Sequence, residues 1–91
     1  MRIIGGNLKG KKLFFLNTKT TRPLRDIVKE SIFNVIFHSH IIEVKLEDSK
    51  ILDLYSGIGS FGLEFISRGA SHASFVENDK QALVLLKKNI E

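Results

Sequence analysis

The segment Ile51-Leu52-Asp53-Leu54-Tyr55-Ser56-Gly57-Ile58-Gly59-Ser60-Phe61-Gly62 narrows the choice of fold more than any other part of the chain. Residues 51–55 form a short apolar run of the kind found in a strand buried in a parallel sheet. The run enters Gly57-x-Gly59-x-x-Gly62, and a helical pattern continues to Arg68, with Gly69 as a natural stop. Ala73-Ser74-Phe75-Val76-Glu77 reads as a second strand. Asn78-Asp79 can cap a last helix carrying Ala82, Leu83, Leu85, Leu86 and Ile90. The order β-α-β-α implies parallel strands joined by a right-handed crossover.

A glycine motif between strand and helix is weak evidence of a ligand by itself, but its surroundings add to it. Glycines let the backbone turn tightly and approach a ligand with no Cβ in the way. The helix N-terminus beyond Gly59 offers free N–H groups and a partial positive charge. Glu77 ends the next strand twenty positions after Gly57, where its two carboxylate oxygens can accept both hydroxyls of a ribose. These features describe a nucleoside-type cofactor lying across the strand ends. Asp53 bears on which one. A carboxylate between Leu52 and Leu54 is costly to bury without a partner, and it is unwelcome beside a pyrophosphate. It suits a ligand that is cationic or rich in donors. S-adenosylmethionine, with a sulfonium, an α-ammonium and no phosphate, fits better than NAD.

The N-terminal third has a different character. Residues 1–30 hold eight Lys and Arg against Asp26 and Glu30, whereas residues 31–91 hold six against eight acids. A basic segment on a near-neutral body suggests a polyanionic partner such as nucleic acid, though a plain solvated surface gives the same count. Arg2-Ile3-Ile4 and Lys11-Lys12-Leu13-Phe14-Phe15-Leu16 flank Gly5-Gly6-Asn7-Leu8-Lys9-Gly10, which predicts a small hairpin. Two strands alone are marginal in water, so the hairpin should lean on another element. After a polar connector, Pro23 suits the first turn of a helix. Leu24, Ile27, Val28, Ile32, Val35 and Ile36 then fall at helical spacing, predicting one apolar stripe with Arg25, Asp26 and Lys29 off it and a helix running to about Phe37 or Ser39. Phe14, Phe15, Phe33 and Phe37 read as core, and His38 and His40 as facing water. Asp26 and Glu30 can pair with Arg22, Arg25 or Lys29 along the helix.

Composition excludes several classes. The 91 residues contain no cysteine, so disulfides and thiolate metal sites are ruled out, and a reducing cytoplasm fits. His38, His40 and His72 form no ligand set with nearby carboxylates, so no metal site is expected. No apolar run approaches the roughly 20 residues of a membrane span.

The glycine segment resembles the first motif of class I methyltransferases. Ser67-Arg68-Gly69-Ala70 and Phe75-Val76-Glu77-Asn78-Asp79 narrow the resemblance, as does Met1-Arg2-Ile3-Ile4-Gly5-Gly6 with Lys9-Gly10-Lys11-Lys12-Leu13. The most specific part is Thr21-Arg22-Pro23 followed by Asp26, Lys29-Glu30 and Phe33-Asn34. Together they resemble the bacterial RsmD family, which methylates the exocyclic N2 of a guanine in 16S ribosomal RNA. The resemblance implies an α/β, Rossmann-like class I S-adenosylmethionine-dependent methyltransferase fold, of which this chain holds the first half of the parallel sheet. Residues 1–40 would be a basic, RNA-facing hairpin plus helix, and residues 41–91 the first β-α-β-α of the cofactor domain. Asp53, Gly57, Gly59 and Gly62 would shape the pocket for methionine and ribose, with Tyr55 and Ser56 in the same loop. Glu77 would hold the ribose and Asn78 would lie beside the adenine. Lys9, Lys11, Lys12, Arg22 and Arg25 would meet phosphates of 16S rRNA or the small ribosomal subunit, contacts that give affinity and position but not base identity.

The family's catalytic loop, Asn/Asp-Pro-Pro-aromatic, has no counterpart here, because Pro23 is the only proline. No catalytic residue is therefore assigned, and the chain is expected to be an N-terminal fragment. A sheet lacking its later strands would leave an apolar edge through which copies could associate. Two alternatives remain at this stage: a non-catalytic RNA-binding module using the basic hairpin, and a fragment of an NAD-binding oxidoreductase.

Overall fold

The computed structural model describes residues 1–15, 26–38 and 45–91. In chain order the elements are α1 (Asp26–His38), β1 (Lys50–Leu54), α2 (Ser60–Ser67), β2 (His72–Val76) and α3 (Lys80–Ile90). The strands pair in parallel from Lys50 opposite His72 to Leu54 opposite Val76, as the β-α-β-α order requires. Strand alternation turns Ile51, Asp53, Ala73 and Phe75 towards α2 and leaves Leu52, Leu54 and Val76 exposed on the other face.

The termini of these elements follow from local chemistry. Gly69, at φ 120°, ends α2, and the N–H of Ala70 donates to Phe65 O at 3.0 Å. Asp79 caps α3, its carboxylate accepting from Ala82 N at 2.9 Å. Residues 1–15 make a narrower hairpin than their composition predicts. Among the described residues its ladder is a single antiparallel bridge, Arg2 to Lys12, flanked by Ile3 N to Lys11 O at 2.9 Å and Leu13 N to Met1 O at 3.0 Å. The hairpin leans on α2 as expected. Ile3 and Leu13 bury against Leu63, with Met1, Ile58 and Phe75 packed around them.

The buried face of α1 differs from the predicted stripe. Ile27, Val28, Ile32 and Val35 are exposed, and Leu24 lies outside the described residues. The face that packs inward carries Lys29, 1% exposed, and Phe33, fully buried. Phe33 stacks with Phe37 and Phe61 at centroid distances of 5.8 Å and meets Phe65 at 4.7 Å. Lys29 reaches Glu64 Oε1 at 2.9 Å and donates to Arg2 O at 3.1 Å. Aromatic contact and a buried ion pair thus set the helix's rotation, and the aliphatic stripe lines an open groove of about 500 Å3. Phe14 and Phe15, read as core, are exposed: Asn89 holds the Phe14 backbone at the surface, and Lys88 lies 5.6 Å from the Phe14 ring. Among the described residues Asp26 pairs with Arg2, and its expected partners Arg22 and Arg25 lie outside them. His38 is exposed, and His40 lies outside the described residues.

Candidate functional site

The two strands end side by side, and the backbone continues from each into a loop. Ser56 N donates to Val76 O at 2.9 Å, carrying the parallel pairing past Leu54. Between them Tyr55 adopts a left-handed conformation, φ 55°, and the residue is 92% exposed. A non-glycine residue in this region stores strain, and such residues concentrate at ligand sites. Gly59 N donates to Ser56 O at 2.9 Å, closing the glycine turn, and Gly59, at φ 91°, forms the N-cap of α2 with no side chain capping it.

Glu77 organises this loop. Its Oε1 accepts from Gly57 N at 2.7 Å, and its Oε2 from Asn78 N at 3.1 Å and Asp79 N at 2.9 Å. Hydrogen bonds from Asp79 and Gly57, partly offset by burial, hold the carboxyl below its ordinary value. Glu77 therefore tethers the glycine loop to the end of β2, and Oε1, with one donor, keeps a lone pair for a donor from outside. Leu54, Tyr55, Val76, Glu77 and Asn78 line a cavity of about 220 Å3 beside it.

The predicted cofactor residues divide into two groups. Tyr55, Glu77 and Asn78 meet at the cavity, and Gly57 joins them through Glu77; a Cβ on Gly57 would enter open space. Asp53, Gly59 and Gly62 lie on the α2 side of the sheet. Gly59 leaves room for Leu86, whose Cδ1 would stand 2.5 Å from an added Cβ, and Gly62 leaves room for the Phe75 ring. These two glycines let α2 pack closely on β2 and α3. Asp53 Oδ2 accepts from Gly62 N at 3.0 Å. Burial pushes its carboxyl above the ordinary value, and the Gly62 N–H pulls it partly back. Ser56 contributes a hydroxyl that is buried with no hydrogen-bond partner, and Ser60 places a second such hydroxyl at the first turn of α2.

Sequence reading missed Leu54 and Val76 as cavity walls, although both are the last residues of their strands and alternation puts them on one face. It also missed Ser60. Asn89 carried no signal at all. Its side chain accepts from Phe14 N at 2.8 Å and donates to Phe14 O at 3.0 Å and Ile58 O at 2.9 Å, tying the glycine loop to the hairpin exit.

The residues fit a nucleoside with a cationic tail. Two unpartnered hydroxyls, an open approach at Gly57 and two carboxylates offer acceptors and donors, and among the described residues no basic side chain lines the cavity to hold a pyrophosphate. Lys9, Lys11 and Lys12 are exposed on the hairpin turn, away from this cavity, and Arg22 and Arg25 lie outside the described residues. No three His, Asp or Glu side chains gather into a metal site among the described residues, and no helix there is long and apolar enough to cross a membrane.

The family model described as Conserved hypothetical protein 95 matches residues 1–91. Ribosomal RNA small subunit methyltransferase D of Haemophilus influenzae is 40% identical over 91 residues, covering 100% of this chain and 44% of that protein. The protein of the same name from Escherichia coli K12 is 36% identical over 90 residues, covering 99% and 42%. The solved structure of Escherichia coli yhhF superposes with a TM-score of 0.77 at 34% identity, over 99% of this chain and 45% of that one. The chain thus spans less than half the length of each of these relatives. With the family model matched over residues 1–91 and relatives 36–40% identical along that length, this chain belongs to the methyltransferase family described as Conserved hypothetical protein 95, that of RsmD.

Proposed function

We propose that this chain is the donor-binding half of an S-adenosylmethionine-dependent methyltransferase that acts on the exocyclic N2 of a guanine in 16S rRNA. It holds the first half of a Rossmann-like class I sheet and works in the cytoplasm. One observation carries the reading: Glu77, at the end of β2, shares a cavity with Tyr55 and Asn78 and holds Gly57 N at 2.7 Å. The bound donor supplies a methyl group on a sulfonium. Glu77 directs the free lone pair of Oε1 at the ribose hydroxyls, and Tyr55 and Asn78 flank the adenine. Ser56 and Ser60 offer their hydroxyls, and Asp53 faces the positive tail. Transfer itself is an in-line attack by the guanine amino nitrogen, for which the protein supplies orientation and exclusion of water. The Asn/Asp-Pro-Pro-aromatic pattern of the family's acceptor loop does not occur in these 91 residues, so no acceptor-side residue is assigned among them.

The basic segment of residues 1–40 faces RNA, with Lys9, Lys11, Lys12, Arg22 and Arg25 on phosphates. The test separates donor binding from RNA binding. Glu77→Gln should abolish S-adenosylmethionine binding and leave RNA affinity intact, because it lies far from the turn. Unchanged donor binding in Glu77→Gln would contradict the site. RNA affinity in a chain that binds no donor would favour a non-catalytic RNA module, and NADH binding in the parent an oxidoreductase fragment.

A further inference from the structure

The hairpin turn that carries the lysines is bolted to the far end of the helix that begins at the glycine loop. Over five residues its backbone makes five hydrogen bonds to two side chains and one carbonyl of α2. Glu64 accepts from Ile4 N and Gly5 N, each at 2.9 Å. Ser67 Oγ donates to Gly5 O at 2.5 Å and accepts from Leu8 N at 2.9 Å, and Ser67 O accepts from Asn7 N at 2.8 Å. Gly6, at φ 80°, lies so close to α2 that a Cβ would fall into the Ser67 carbonyl. The turn itself is solvated: Gly6, Asn7, Lys9, Gly10, Lys11 and Lys12 are all exposed, and water could satisfy that backbone. Such an anchor removes the freedom of a lysine turn before any partner arrives.

We propose that the Gly6–Ser67 anchor is a positioning device: α2 acts as a rigid spacer that holds the basic turn at a fixed distance from the donor site and preorganises it for an RNA backbone. This rests on the RNA reading given above. Eight helical residues at about 1.5 Å each separate the two sites by roughly 12 Å along the helix. A preformed turn saves the ordering cost that a loose one would meet on binding. Gly10 supplies the control. It has a similar positive φ of 88°, but a Cβ there meets nothing within 4 Å.

The experiment measures binding of the 91-residue chain to a fluorescein-labelled RNA hairpin with an unpaired guanine, by anisotropy over a salt series, well below the melting temperature of each variant. Gly6→Ala should weaken binding about tenfold or more with the salt slope unchanged, since every lysine remains. Gly10→Ala should change it less than about threefold, and S-adenosylmethionine affinity should stay within about twofold in both. Ser67→Ala, which suits a helix, should weaken RNA binding in the same direction and decides the matter if Gly6→Ala does not fold. A purely structural anchor would lower the melting temperature and leave the RNA affinity of the folded chain at the parent value, and that result overturns the proposal. Replacing Lys9, Lys11 and Lys12 together by Ala should reduce the salt slope by about 2–3, at roughly 0.7–0.9 per phosphate contact. If that triple variant binds RNA as the parent does, the RNA reading fails and the anchor with it; if the triple variant is weakened and Gly6→Ala and Ser67→Ala are not, the anchor alone fails.

Discussion

Replacing Glu64 by alanine is the severest single test of how this molecule is held together. Glu64 is fully buried and has four partners: Ile4 N, Gly5 N, the Lys29 ammonium at 2.9 Å and the Arg68 guanidinium at 2.8 Å. Burial pushes its carboxyl up, but the Ile4 N–H, Arg68, Lys29 and the Gly5 N–H together outweigh burial and hold it below its ordinary value. Truncation leaves Lys29, itself 1% exposed, as an unpaired buried cation, at a cost of about 3–5 kcal/mol. The two half-buried N–H groups add about 1 kcal/mol each, the low end of the usual penalty. A chain of this length has a total stability of about 5–14 kcal/mol at the usual 0.05–0.15 kcal/mol per residue. The loss is therefore a large fraction of the whole. At about 4–8 °C per kcal/mol, even 3 kcal/mol lowers the melting temperature by roughly 12–24 °C. Circular dichroism melts of the parent, Glu64→Ala and the double variant Lys29→Met/Glu64→Met decide it. The double variant should recover part of the loss, because it removes the stranded charge. A fall of less than about 4 °C in Glu64→Ala would refute the reasoning.

Other consequences are as direct. Asp53→Asn removes a carboxylate that burial pushes up while keeping an acceptor for Gly62 N; melting temperature should hold or rise, and calorimetry should show donor affinity lost. Glu64 and Glu77 both sit below the ordinary glutamate value of 4.5, so the stability they lend is present above that pH and lost as pH falls through their lowered values. Melts taken from pH 6 downward should therefore show Glu77→Gln less acid-sensitive than the parent. Gly62→Ala should cost about 1–3 kcal/mol by crowding the Phe75 ring, whereas Gly57→Ala, open to solvent at φ 58°, should cost about 1–2 kcal/mol and impair donor binding; urea titrations separate the two. Leu52, Leu54 and Val76 lie bare on one sheet face, so light scattering should show self-association of the isolated chain, and Leu52→Lys should reduce it.

The second half of the chain was legible because local rules and tertiary structure agree there. Strand alternation, the glycine turn, Gly69 and the Asp79 cap each announce an element within a few residues, and the elements fall within one residue of where they are read. Of the candidate site, Glu77 was legible from its spacing to Gly57, whereas Tyr55 and Asn78 came from the family resemblance; the three line one cavity. Two things were hidden. The rotation of α1 depends on Lys29 meeting Glu64, which is 35 positions away, and no periodicity rule scores a lysine as core. The roles of the glycines were blurred for the same reason. The motif shows three glycines, but only the packing of Leu86 and Phe75 reveals that Gly59 and Gly62 serve helix docking while Gly57 faces outward.

The most direct test of the central claim is calorimetric titration of the 91-residue chain with S-adenosylmethionine, with NADH titrated in parallel. The account predicts saturable binding of S-adenosylmethionine, lost in Glu77→Gln, and no heat from NADH. A folded chain that binds neither, or binds NADH, would contradict the assignment of the strand-end cavity as a methyl-donor site.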